Sequence, residues 1–317
     1  MNKNIKKVAV ASRSFSSNRS LRDTLLSRYS NVKFNESGKS LADSQLIEFF
    51  KGCDAAIVAL EKIDDSIVGQ LPELKVISKY GVGLDNITLE ALFNRGIKLA
   101  WTGGVNKRSV AELTLFMIIG TMHQAFFANY AVRSNNWHQV IGHTLSEKIV
   151  GIVGLGHVGQ ELVQLLKPFN CRILATDIVD KSSFATTHNL EIVTLDELLA
   201  NSDVVSVHVP FSEKTRNLVS ASQFNKMKKG AAFINTSRGN IVDESAILNA
   251  LDSRHLSCAA FDVFAIEPLT DQKLIDNPYL YCTPHIGGSA EEAIKAMGMA
   301  AIDGLDNPKD AIGSNFI

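Results

Sequence analysis

Short β-branched runs alternate with helical patterns along almost the whole chain. Val8-Ala-Val-Ala11, Ala55-Ala-Ile-Val-Ala-Leu60, Val76-Ile77 and Ile97-Lys-Leu-Ala100 read as strands, with short helices expected at Leu21–Tyr29, Ser44–Lys51, Ser66–Gln70 and Leu89–Asn94. Strands separated by helices in this rhythm predict βαβ units and a parallel sheet. A second series follows at Ile149–Val153, Arg172–Thr176, Val204–Val209, Ala231–Ile234, Cys258–Phe261 and Leu280–Cys282. These runs are almost continuously apolar, as expected of strands covered on both faces. Their number matches a complete dinucleotide-binding sheet.

Helical patterns from Ser109 to about Phe127 and from Ala290 to Leu305 flank the second series. After its last strand too little chain remains for a further domain, so the tail is expected to return to the first. The fold class that follows is α/β, with two Rossmann/flavodoxin-like parallel-sheet domains and an interdomain cleft. The expected boundaries are 1–103 plus 287–317 for a discontinuous first domain and 104–286 for the dinucleotide-binding domain inserted in it. A length of 317 residues agrees with about two domains.

Composition narrows the partners. Lysine and arginine number 32 against 33 acidic residues, a net charge of −1. Nucleic-acid and membrane-surface binding usually need a basic excess, so neither partner is expected. A small anionic substrate needs only one or two placed cations. Cys53, Cys171, Cys258 and Cys282 are scattered without a C-x-x-C pair, which reads as free thiols in a reducing cytoplasm. The polar start at Met1–Lys7 predicts no secretory leader. The most apolar stretch, Val110–Phe127, is broken by Glu112 and His123 and falls short of the ~20 residues of a membrane span.

Gly154-Leu-Gly156-His-Val-Gly159 directly follows the strand Ile149–Val153 and opens a helix with Val158, Leu162, Leu165 and Leu166 at helical spacing. A lone G-x-G-x-x-G is weak, but here it has its strand, its helix and an acidic residue, Asp177, at the end of the next strand. Glycines there let the backbone approach a pyrophosphate, whose charge rests on the helix amino terminus. Asp177 suits ribose hydroxyls and would repel a 2′-phosphate, and Ile178-Val-Asp180 supplies no arginine, so NAD is expected rather than NADP.

Three further segments sit at strand ends: Asn235-Thr-Ser-Arg-Gly239, Phe261-Asp-Val-Phe-Ala-Ile-Glu-Pro268 and Thr283-Pro-His-Ile-Gly-Gly288. With Lys79-Tyr-Gly-Val-Gly-Leu-Asp-Asn-Ile87 they give the chain a resemblance to the NAD-dependent D-2-hydroxyacid dehydrogenase family, and most to short chains labelled D-3-phosphoglycerate dehydrogenase. The resemblance implies hydride transfer between NAD(H) and a D-2-hydroxy acid/2-oxo acid pair. His285 matches the proton donor and acceptor, a role imidazole fills near neutral pH. Glu267 matches its carboxylate partner. Arg238 matches the planar cation that binds the substrate carboxylate.

The same resemblance implies substrate contacts from Tyr80, Gly81, Val82 and Gly83. It implies cofactor contacts from Gly154, Gly156, His157, Val158, Gly159, Asp177, the loop His208-Val209-Pro210, Thr215, Thr236, Ser237, Arg238, Asp262, His285 and Gly287. Among these, Asp262 resembles the residue that hydrogen-bonds the nicotinamide amide. No His/Cys/Asp/Glu cluster has metal-ligand spacing, and none is needed where NAD carries the hydride. The 104–145 region, with its long apolar helix, resembles the family's two-fold interface and implies a homodimer.

The substrate is less determined. Phosphoglycerate enzymes commonly carry an Arg-Ser pair after the strand that ends here at Val58, whereas this chain reads Ala59-Leu-Glu-Lys-Ile63. Lys62, Arg13, Lys107 and Arg108 are the cations available to replace it. Phosphoglycerate, glyoxylate, hydroxypyruvate and larger 2-oxo acids stay open. The alternative reading is an NADH-sensing binding protein without turnover, similar to the family's corepressor relatives.

Overall fold

A computed structural model describes residues 5–312; the polar start at Met1–Asn4 and the end of the tail at 313–317 lie outside it. The chain divides into two compact units, Met1–Asn106 with Glu291–Ile317, and Lys107–Ala290. The divisions fall a few residues beyond the expected 103/104 and 286/287. Each coincides with the start of a helix, at Lys107 and at Glu291, which stays whole in its unit.

In chain order the strands are β1 (Val8–Val10), β2 (Val32–Phe34), β3 (Ala55–Val58), β4 (Val76–Lys79), β5 (Lys98–Ala100), β6 (Ile149–Val153), β7 (Arg172–Thr176), β8 (Glu191–Ile192), β9 (Val204–Val207), β10 (Ala232–Asn235), β11 (Cys258–Phe261), β12 (Leu280–Cys282) and β13 (Lys309–Asp310). The first unit holds the sheet β13-β5-β4-β3-β1-β2. Its five strands β1–β5 pair in parallel, as the βαβ rhythm predicts, and the two-residue β13 adds an antiparallel edge beside β5. Without that edge, the order 2-1-3-4-5 is the flavodoxin arrangement.

Alternate strand residues in this sheet serve two cores. Ala9, Ala56, Ile77 and Leu99 pack on one face with Leu46, Phe50 and Leu92. Val8, Val10, Ile57 and Val76 pack on the other with Leu21, Leu25, Ala301 and Ile302. The tail helix Glu291–Gly304 therefore supplies core to the first unit, and Ser78 Oγ donates to the Ala301 carbonyl at 2.6 Å. β3 stops at Val58, short of the expected Leu60, because the buried Glu61 carboxylate takes the Ala59 amide at 2.6 Å and turns the chain.

The second unit holds the parallel sheet β12-β11-β10-β9-β6-β7-β8. Numbered within the unit, that is the dinucleotide-binding order 3-2-1-4-5-6 with one added strand. The order reverses between β6 and β9, and ligands of such sheets bind beyond the carboxyl ends of the strands at that point. The two faces are filled by Val205, Val207, Phe233 and Phe261 with Phe224 and Leu251, and by Val150, Ile152, Val204 and Ile234 with Leu162 and Met117.

The helix expected from Ser109 to Phe127 is two helices, Lys107–Met122 and Ala125–Arg133, bent by 70°. Gln124 takes a left-handed φ of 53°, and the His143 amide donates to the Met122 carbonyl at 2.8 Å, ending the first helix. Among the described residues no single helix is long and apolar enough to cross a membrane.

Candidate active site

The fingerprint loop lies where the second sheet reverses order. Gly154 has φ +99°, and a Cβ there would meet the His208 carbonyl carbon at 3.0 Å, so the turn after β6 can press against the end of β9 only as glycine. Gly159 lets the helix His157–Leu166 start tight against the loop, since a Cβ would sit 2.1 Å from the Gly154 carbonyl oxygen. Around Gly156 nothing lies within 4 Å of a Cβ position, and Gly156 and His157 are exposed. The loop is therefore rigid behind and open in front.

Asp177, following β7, accepts the Leu155 amide on Oδ2 at 2.7 Å and the Val179 amide on Oδ1 at 2.9 Å. Each oxygen keeps a lone pair for further donors. The loop after β9 carries His208, whose Nε2 lies 2.8 Å from Ser206 Oγ. Its Nδ1 is buried without a hydrogen-bond partner among the described residues, and burial pushes the imidazole down to about 4. Val209 packs against Gly154, and the Thr215 hydroxyl donates to the Pro210 carbonyl at 2.8 Å, closing the 210–215 turn.

β10 delivers Arg238. The fully buried Asn235 side chain organises its turn, accepting the Ser237 amide at 3.1 Å and donating to the Arg238 carbonyl at 3.0 Å. Thr236 Oγ1 lies 2.8 Å from Thr114 Oγ1 on the Lys107–Met122 helix. Gly239 rests on the backbone after β11: a Cβ there would lie 1.8 Å from the Phe264 carbonyl carbon. That contact brings the arginine turn beside the Phe264–Glu267 segment.

Glu267 Oε1 accepts the Phe264 amide at 3.0 Å, and Oε2 meets His285 Nδ1 at 2.7 Å. Burial alone would raise the Glu267 carboxyl. The bonds from His285 and the Phe264 amide, with the charges of His285 and Arg238, more than offset that and hold it below the ordinary carboxylate range. An ionised carboxylate only accepts, so Nδ1 carries the proton in this bond and Nε2 is left for a ligand. His285 itself has φ +55° and is partly exposed. The turn around it is bonded to Asp262, and Ser109 Oγ donates to the Gly287 carbonyl at 2.6 Å.

The structure thus brings together, within the second unit, His285 and Glu267 with the charge of Arg238 felt at Glu267, and it places the fingerprint glycines, Asp177, His208, Thr236 and Asp262 after strands of the same sheet. Tyr80, Gly81, Val82 and Gly83 belong to the first unit, after β4, where Trp101 Nε1 donates to the Val82 carbonyl at 2.7 Å. Of the four candidate extra cations, three are ion-paired. Lys62 meets Asp64 at 2.8 Å, Lys107 meets Glu161 at 3.1 Å, and Arg108 meets Glu112 at 2.6 Å and Glu161 at 3.2 Å. Arg13 has no carboxylate partner among the described residues. Sequence reasoning gave no role to Asn235, Thr283, Ser206 and Thr114. Only Asn235 carried a local signal, the Asx-turn pattern of an Asn two residues before a Ser.

Comparison with known proteins decides the family. The family model for "D-isomer specific 2-hydroxyacid dehydrogenase, NAD binding domain" matches residues 115–287. The hydroxypyruvate reductase of Thermotoga maritima is 32% identical over 269 residues, covering 83% of this chain and 87% of that one. The chain belongs to the D-isomer specific 2-hydroxyacid dehydrogenase family. The D-3-phosphoglycerate dehydrogenase of Bacillus subtilis is 34% identical over 258 residues, 80% of this chain and 49% of the relative. This family member therefore spans about half the length of the phosphoglycerate dehydrogenases it matches. A glyoxylate reductase structure from Paecilomyes thermophila superposes with a TM-score of 0.83 at 26% identity, covering 94% of each chain.

The cofactor of the matched domain is NAD, and the residues fit it. Gly156 leaves open space at a helix amino terminus, Asp177 has lone pairs to spare, and His208 Nδ1 is a buried polar atom awaiting a partner.

Proposed function

We propose that this dehydrogenase catalyses reversible hydride transfer between NAD(H) and a D-2-hydroxy acid/2-oxo acid pair, with a small unphosphorylated 2-oxo acid such as hydroxypyruvate or glyoxylate as substrate. The observation that carries the reading is the 2.7 Å bond between His285 Nδ1 and Glu267 Oε2 at adjacent strand ends, with Arg238 beside it. NADH, when bound, supplies the hydride that reduces C2 of the oxo acid. His285 then gives a proton from Nε2 to the developing alkoxide, and Glu267 steadies the imidazolium that precedes transfer. Arg238 binds the substrate carboxylate and orients the carbonyl. Gly154, Gly156, His157, Val158 and Gly159 receive the pyrophosphate, Asp177 the adenosine ribose, and the loops at His208–Pro210, Thr215, Thr236–Ser237 and Gly287 the nicotinamide half.

The smaller substrate is favoured by the relative named hydroxypyruvate reductase, which this chain matches over most of its length, and by the pairing of three of four candidate phosphate-binding cations. The chain acts as a homodimer formed through the 104–145 region, a reading supported by the exposed apolar side chains there. Four unpaired thiols support a reducing, cytoplasmic setting.

The test is NADH oxidation followed with glyoxylate, hydroxypyruvate and 3-phosphohydroxypyruvate. Turnover is expected on the unphosphorylated acids, and His285→Ala should lower kcat by roughly 10²–10⁴-fold while NADH still binds. Absence of turnover on every acid would remove the reaction; wild-type kcat in the variant would remove the proton donor.

A further inference from the structure

We infer that Asp262 is a positioning residue whose buried carboxylate clamps the turn that carries His285. The inference rests on the reading of His285 as the proton donor and extends it to what aims the ring.

Asp262 follows β11 and is 1% exposed. Three consecutive amides of the turn point at this one residue. His285 N donates to its backbone carbonyl at 2.8 Å, Ile286 N to Oδ1 at 2.7 Å and Gly287 N to Oδ2 at 2.7 Å. Thr283 Oγ1 adds a bond to Oδ1 at 2.6 Å. Successive amides turned inward around a left-handed residue form a concave anion site, and here the anion belongs to the protein. The left-handed residue is His285, with φ +55°, a conformation that a non-glycine side chain keeps only when its surroundings hold it. The Asp262 amide in turn donates to the Asn235 carbonyl at 2.9 Å, and the Asn235 side chain holds the Arg238 carbonyl. One buried residue therefore ties the turn of the proton donor to the turn of the substrate-binding cation.

The carboxylate accepts three bonds, so one lone-pair direction is left. Contact with a cofactor amide, the role implied by resemblance, would use that remaining direction only. An asparagine at this position cannot replace the clamp, because its NH2 would face one of the turn's own donors. The ring of His285 would then lose its fixed distance to Glu267 without any change in either catalytic side chain.

The ring proton on His285 Nδ1 gives a readout that needs no substrate. It is expected as a low-field resonance in nitrogen-edited spectra of the whole chain, assigned by its loss in Glu267→Gln. Asp262→Asn should abolish that resonance and lower kcat by on the order of 10²-fold. The NADH dissociation constant, read by nucleotide fluorescence, should stay unchanged in Thr283→Val, which loses a bond to Asp262 and removes no cofactor contact. Thr283→Val should weaken the resonance and kcat together, and Thr283→Ser should restore both. An Asp262→Asn protein that keeps the resonance but loses NADH affinity would overturn the clamp in favour of a cofactor contact. Thr283→Val and Thr283→Ser that behave alike would overturn it as well. Should the chain turn over no 2-oxo acid, the reaction would fall, yet the ring resonance would still decide the clamp.

Discussion

His208 places a titratable ring where charge is hard to accommodate. Ser206 occupies one ring nitrogen, the other is buried without a partner among the described residues, and burial pushes the imidazole from 6.5 to about 4. The unfolded chain therefore takes up a proton on falling below pH ~6.5, whereas the folded chain resists it until about 4. Stability from this group is full above pH ~6.5 and is lost as pH falls towards 4, a change of about 3 kcal/mol. Urea midpoints measured across that range should fall more steeply for the wild type than for His208→Gln. Parallel slopes would show that the ring is already charged or solvated in the folded protein.

The same residue shows what could and could not be read without a structure. The strand-end positions of His285, Glu267 and Arg238 were legible because each sits in a short motif that follows its own strand. The partners that hold them were not. Ser109 with Gly287 and Thr114 with Thr236 are bonds across more than a hundred residues of chain, and no local pattern marks a serine or threonine for such a partner.

Among the elements, the join of β6 to its helix carries the most specific demand. Gly159 and Gly156 belong to one motif but face different surroundings, so alanine should separate their roles. At Gly159 the added Cβ meets backbone at 2.1 Å, and the helix must move away from the loop. Gly159→Ala is expected to lower the melting temperature and weaken NADH binding together. At Gly156 φ is −75° and no atom lies within 4 Å, so alanine is tolerated by the fold. Gly156→Ala should leave the melting temperature unchanged and weaken NADH binding by roughly tenfold or more, because the methyl occupies the space that a pyrophosphate needs. Equal melting losses in both would show that the loop is not open in solution. The long buried strands were legible from their apolar runs. β2, β8 and β13 were not, being two or three residues long and carrying Lys33, Glu191, Lys309 and Asp310. Edge strands this short have no periodicity to detect.

At the scale of the whole molecule, a net charge of −1 leaves association to apolar surface. In the second unit Phe116 is 50% exposed, Trp137 86% and Ile141 88%, all inside the 104–145 region. Single exposed hydrophobes are ordinary, but several in one segment mark a contact surface. A two-fold interface repeats every side chain twice, so each substitution acts on both halves. With about 2 kcal/mol for a buried aromatic anchor, replacing Trp137 and Ile141 by aspartate should raise the dimer dissociation constant by at least 10³-fold. Sedimentation velocity should show a dimer for the wild type and a single chain for the double variant. The NADH dissociation constant should be equal in both, since the fingerprint loop and Asp177 lie outside that segment. A wild type that sediments as one chain at micromolar concentration would show that this surface has another use.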